Sequence, residues 1–340
     1  MFKSIDQHRL SLMPGDLVEV RSYEEIAATL DKSACLDKLP FMPEMAQYCG
    51  RQFRVYRRAD KTCDTVNQTG GRRTFDTVHL EDVRCDGSEH GGCQALCLIF
   101  WKEAWLKRAS SVEEVHDREV APDIDLVRHA CTDDSADGEA TIYRCQATAL
   151  PEFTTLLHWW DIRQYFRDLK TGNTTLGRFV RILCLAAFRA MIRIGIGTRA
   201  LIFTYNKMQT LRGGQPYPTI KGTQSNTPAD SLNLQPGEMV RIKPLEEIVA
   251  TLDKNSKNRG MRFDPEMAKF CGGTYRVAQR VDKIIEEHTG RMLNFATPSV
   301  ILDNVFCHSE FSSCRLFCPR SIFSYWRENW LERVPDPVDT

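Results

Sequence analysis

The chain carries one stretch of sequence twice. Residues 14–61 contain PGDLVEV, EEIAATLDK, FMPEMAQYCG and RVYRRADK, and residues 236–283 contain PGEMVRI, EEIVATLDK, FDPEMAKFCG and RVAQRVDK. At a constant offset of 222, with no gap, 23 of 48 aligned positions are identical. Each copy then runs through a cysteine-containing stretch to a tryptophan segment, WKEAWLKR at 101–108 and WRENWLERV at 326–334. A period this long with only two copies implies a duplicated small domain rather than a solenoid. The copies also act as mutual controls: what both keep is required by shared architecture.

The pattern divides the chain into a first repeat (1–108), an acidic linker (109–150), a basic helical segment (151–222) and a second repeat (223–340). Formal net charge is zero, which argues against binding a polyanion by bulk charge. The neutrality hides an asymmetry of net −7 over 109–145 and net +8 over 151–222. The acidic stretch has no hydrophobic periodicity and reads as an exposed linker. Residues 160–170 and 175–206 read as helices. In the second, Arg178, Arg181, Arg189, Arg193 and Arg199 share one arc opposite an apolar face. That face implies packing on the repeats, a protein partner, or peripheral membrane contact through 175–206 with Trp159 and Trp160 as anchors. The N-terminus has no apolar run of signal-peptide length, so the expected location is cytoplasmic, with a peripheral membrane association as the variant.

Within each repeat, PGxxVxV reads as a turn followed by an alternating strand, and the segments ending at Cys85 and Cys307 alternate in the same way. Short strands and glycine turns predict an α+β chain of two tandem-duplicated small β-barrels joined by a helical middle. The openings PGDLVEV and PGEMVRI resemble the first strand of SH3-like, KOW-type barrels. That resemblance implies a fold and carries no activity.

Thirteen cysteines in a chain with no export signal read as metal ligands or reactive thiols before disulfides. Cys49 aligns with Cys271 and Cys85 with Cys307 at the 222 offset. Cys93 and Cys318 each lie eight residues before a tryptophan, and His90 falls near the place of Cys314. The expected sets are Cys49, Cys85, His90, Cys93 and Cys271, Cys307, Cys314, Cys318. A second alignment pairs Cys93 and Cys97 with Cys314 and Cys318, replacing His90 by Cys97. Four thiolate or imidazole ligands suit tetrahedral zinc, so two zinc ions per chain are expected. The Cys-to-His exchange favours zinc over an iron–sulfur cluster. Against this stands the plain alternative that the thiols are buried small hydrophobes.

Cys35, Cys63 and Cys97 have no counterpart in the second copy, which makes the first the candidate for thiol or metal chemistry. No nucleotide loop, HExxH or GxSxG occurs. The leading expectation is a zinc-stabilised adaptor that docks a protein partner or a membrane surface. The alternatives are a metal- or thiol-dependent enzyme with its site in the first repeat, around His90, Cys93, Cys97 and Cys63, and a nucleic-acid-binding module. The basic-aromatic run Phe53–Arg58 favours the last, but the second copy replaces Tyr56 and Arg57 by Ala278 and Gln279.

Overall fold

The computed structural model describes residues 10–110, 124–133, 141–195, 197–211, 217, 220–312 and 314–334. Nearly half of the acidic linker (111–123 and 134–140) lies outside the described residues. The chain forms two compact units. Unit 1 comprises residues 1–179 with 283–293 and 317–321, and unit 2 comprises 180–282, 294–316 and 322–340.

In unit 1, strands Leu17–Val20, Gln52–Arg58, Thr77–Leu80, Trp101–Lys102 and Leu106–Arg108 form one five-stranded sheet. The first strand lies between the second and the last, and the third and fourth extend the other side. The sheet built from Met239–Ile242, Thr274–Ile285, Met292–Phe306, Phe323–Arg327 and Leu331–Arg333 has the same order. Register agrees at the 222 offset: Leu17 pairs with Arg54, and Met239 with Arg276.

Neither sheet closes, which corrects the expectation of SH3-like or KOW-type barrels. Among the described residues the two outermost strands of each sheet do not pair with each other. Those of the first sheet are two and three residues long, joined by the 3-10 turn Glu103–Trp105. A barrel needs a ladder between its edge strands, and none joins them among the described residues. Nor does the chain form two tandem barrel modules. The strands Thr274–Ile285 and Met292–Phe306 are 12 and 15 residues long, against 7 and 4 for their counterparts. Their distal part, 283–293, and the segment 317–321 are built into unit 1. The α+β content stands; the barrel and internal-repeat description of the architecture does not.

The tryptophan segments show why their motif recurs. Phe41 meets Trp105 edge-on at 5.4 Å, and Phe263 meets Trp330 edge-on at 5.4 Å. The indole N–H of Trp105 donates to Thr29 Oγ1 and that of Trp330 to Thr251 Oγ1. Between the tryptophans, buried Glu103 accepts from the amides of Ser11 and Leu12 and from Arg58, and Glu328 accepts from the amides of Leu232, Asn233 and Leu234 and from Arg280. One carboxylate thus ties the entering chain to the sheet in each case. Glu24 and Glu25 begin a short helix, Tyr23–Ala27, whose N-cap Ser22 forms a capping box with Glu25.

The basic segment folds as helices Arg163–Lys170, Leu176–Ile194 and Thr198–Leu211. The expected helix over 175–206 is broken because Gly195 and Gly197 take φ of 85° and 61°. Within unit 2, Arg181 pairs with Glu310 at 2.7 Å and Arg189 lies over the Phe311 ring, so part of the arginine stripe is satisfied by its own unit. Among the described residues no helix is long and apolar enough to cross a membrane.

Candidate metal centre

The 3-10 turn Pro43–Tyr48 starts with proline, whose fixed φ suits a first helical position. It turns Pro43, Glu44 and Met45 inward and ends at Cys49, followed by Gly50 at φ 75°. Facing it is the loop 86–93, which needs its glycines. Gly87 has φ 69°, and a Cβ there would lie 2.0 Å from the Cys93 carbonyl oxygen. The amides of His90 and Gly92 both donate to the Gly87 carbonyl, and that of Cys93 donates to the His90 carbonyl. This compact turn aims His90 at Glu44.

His90 Nδ1 lies 2.6 Å from Glu44 Oε1, with the two side chains 1% and 0% exposed. Nε2 faces the Arg144 carbonyl at 3.3 Å. Glu44 Oε1 also accepts from the Glu89 amide, while Oε2 is buried without a hydrogen-bond partner. Cys85 completes the group. One ligand atom each from Glu44, Cys85 and His90 lies within 4.8 Å of the others, and no other such set of three occurs among the described residues. Burial pushes the Cys85 thiol well above its ordinary value, with the Glu44 carboxylate adding to the effect.

A cavity of about 40 Å³ adjoins the group. Cys85, His90, Cys93, Cys97, Cys145 and Arg320 are among its walls, all within unit 1. The hairpin tip closes one side: the Gln94 amide donates to the Lys283 carbonyl, and the Tyr143 amide to the Gly290 carbonyl. Burial raises the Cys97 thiol to about 12 and the Cys145 thiol to about 11. As free thiols these are therefore protonated and poorly nucleophilic at neutral pH.

The sequence-derived ligands fare unequally. Cys85 and His90 come together. Cys93 lines the cavity, where its sulfur accepts from the Ile285 amide at 3.3 Å. Cys49 packs against the core of unit 1, and burial raises its thiol to about 12. Cys271 is part of the core of unit 2, and Cys307 lies 3.6 Å from Ser309 Oγ. Cys314 is exposed, and Cys318 belongs to unit 1, where its sulfur accepts from the Cys63 amide. Two zinc sites were expected, and one candidate cluster is present among the described residues.

Glu44 was missed. Its signal was available: a carboxylate kept in both copies inside the apolar motif FxPEMA. The counterpart Glu266 is also buried, and its Oε1 accepts from the amides of Glu310 and Phe311. In unit 2 backbone donors therefore occupy the place that the His90 imidazole takes in unit 1, which leaves the ligand set peculiar to unit 1. No protein-family model matches the chain, and no curated protein matches it.

Proposed function

We propose that this chain is a metal-dependent protein whose working centre lies in unit 1, with a transition-metal ion bound by Glu44, Cys85 and His90. The observation that carries this reading is the convergence of the three ligand atoms within 4.8 Å of one another in a buried site. Carboxylate, thiolate and imidazole together suit zinc or iron rather than magnesium or calcium. Glu44 Oε2 is buried without a hydrogen-bond partner, but so is Oε2 of its counterpart Glu266, so the reading rests on the convergence of the three ligands and not on that oxygen. The Cys85 thiol, held neutral by burial, loses its proton on coordination.

Three protein ligands beside a cavity form the pattern of a catalytic rather than a closed structural site. The remaining position takes water or a small ligand, which favours a metal-dependent enzyme over an adaptor held together by two structural zinc ions. Elemental analysis of the purified chain tests this. About one centre per chain is expected, lost in Cys85→Ser and His90→Ala and kept in Cys271→Ser. Retention of full metal by Cys85→Ser would refute the assignment.

A further inference from the structure

The cavity beside the three ligands is walled by three more thiols, Cys93, Cys97 and Cys145. Among the described residues their sulfurs do not join Cys85 in any set lying within 4.8 Å of one another. Thiolates around one zinc ion sit about 3.8 Å apart, as Zn–S bonds of about 2.3 Å in a tetrahedron require. The four sulfurs are therefore too dispersed for a single ion, yet all four residues line one void. That void of about 40 Å³ is roughly three times the 10–15 Å³ a single water needs. Iron atoms bridged by inorganic sulfide fill such a space, because the bridging sulfides hold the protein thiolates apart.

We propose that the centre in unit 1 is an iron–sulfide cluster filling this cavity, one end held by Cys85 and His90 and the other by thiolates of the Cys93, Cys97 and Cys145 group. A two-iron cluster needs two of those three. Mixed imidazole and thiolate ligation of a two-iron cluster is chemically sound. The surroundings fit sulfur ligands. The Ile285 amide donates to the Cys93 sulfur at 3.3 Å. Arg320, 2% exposed, stands in the wall with its guanidinium on Thr65 Oγ1 at 2.7 Å and Glu287 Oε1 at 3.1 Å. Its charge is met by that of Glu287, which lines the same cavity, and N–H donors and nearby charge are what tune such clusters. Assembly from ferric iron and sulfide forms each Fe–S(Cys) bond with release of one thiol proton and needs no oxidant.

This inference rests on the reading of unit 1 as metal-binding, but it replaces the single ion on Glu44, Cys85 and His90 by a cluster in which Glu44 is not a ligand, and the test separates the two. The full chain is incubated anaerobically with ferric iron and inorganic sulfide, desalted, and assayed for iron, acid-labile sulfide and visible absorption. Equal iron and sulfide with a brown colour are expected, kept in Cys49→Ser, which replaces a buried thiol outside the cavity and so controls for folding. At least two of Cys93→Ser, Cys97→Ser and Cys145→Ser should lose both elements. Metal that depends on Cys85 and His90, carries no sulfide and ignores those three substitutions would overturn the cluster and leave the single-ion reading standing. No metal under any condition would overturn both.

Discussion

Cys271 offers a direct choice between a core thiol and a zinc ligand. It lies 6% exposed in the core of unit 2, and burial raises its thiol from an ordinary 9.0 to about 12. The folded chain therefore holds a proton that the unfolded chain gives up between these values. A group whose folded pKa is raised stabilises fully below its unfolded value and loses that contribution as pH climbs towards the folded one. With the values 9 and 12 the loss is about 1.4 kcal/mol at pH 10 and about 2.7 kcal/mol at pH 11, as ceilings for one thiol. Cys271→Ala removes the sulfur and incurs a cavity cost that does not vary with pH. The assay is denaturant unfolding of wild type and Cys271→Ala, in a non-chelating reductant and without chelator, at pH 8, 9, 10 and 11. The wild-type advantage should be nearly constant up to pH 8, fall by about 0.4 kcal/mol at pH 9, and then shrink by those amounts. A zinc-bound thiolate, already deprotonated, behaves in the opposite way: no alkaline loss, and a loss in acid as the proton competes with the metal. A flat difference from pH 8 to 11 would refute the core-thiol reasoning.

Other substitutions probe the clamp and the centre. Glu328→Gln should destabilise unit 2 by about 3–5 kcal/mol, since it leaves Arg280 and three backbone amides short of a carboxylate; urea unfolding measures it. Desolvation raises the Glu328 carboxyl, but the Ser231 hydroxyl and the backbone amides outweigh it and hold the pKa below the ordinary 4.5. Its contribution is therefore present above that value and should fade as pH falls below it, making the acid-unfolding curve of Glu328→Gln shallower than that of wild type. Gly87→Ala should displace the loop 86–93, because its Cβ meets the Cys93 carbonyl and its φ is left-handed; metal content should fall to background while unit 2 keeps its stability. Glu44→Gln should cost unit 1 about 1–3 kcal/mol by replacing the buried carboxylate that faces His90 and accepts from the Glu89 amide, and should weaken metal retention in a chelator competition.

The strands, short turns and caps were legible in the sequence because they are local. PGDLVEV declares a turn and a strand; the capping box of Ser22 with Glu25 is just as local but was missed. The break at Gly195–Gly197 was legible in principle, since two glycines spaced by one residue halt a helix, but the apolar face running through them masked it. Sheet closure was not legible. It depends on how long the outer strands are and whether they find each other, and no residue pattern encodes that.

The cysteines divide along the same line. Their number and alignment reveal a chain rich in soft ligands, and spacing alone suggests two matching quartets. Which sulfurs converge is a matter of non-local geometry: Cys85 meets Glu44 across 41 positions because a 3-10 turn and a glycine loop face each other, while Cys271 is claimed by a core. Composition and repetition thus determined the elements and the stock of ligands. Tertiary structure decided which of them share a cavity, because long-range contacts arise from packing whole elements and carry no signature in the spacing of residues along the chain.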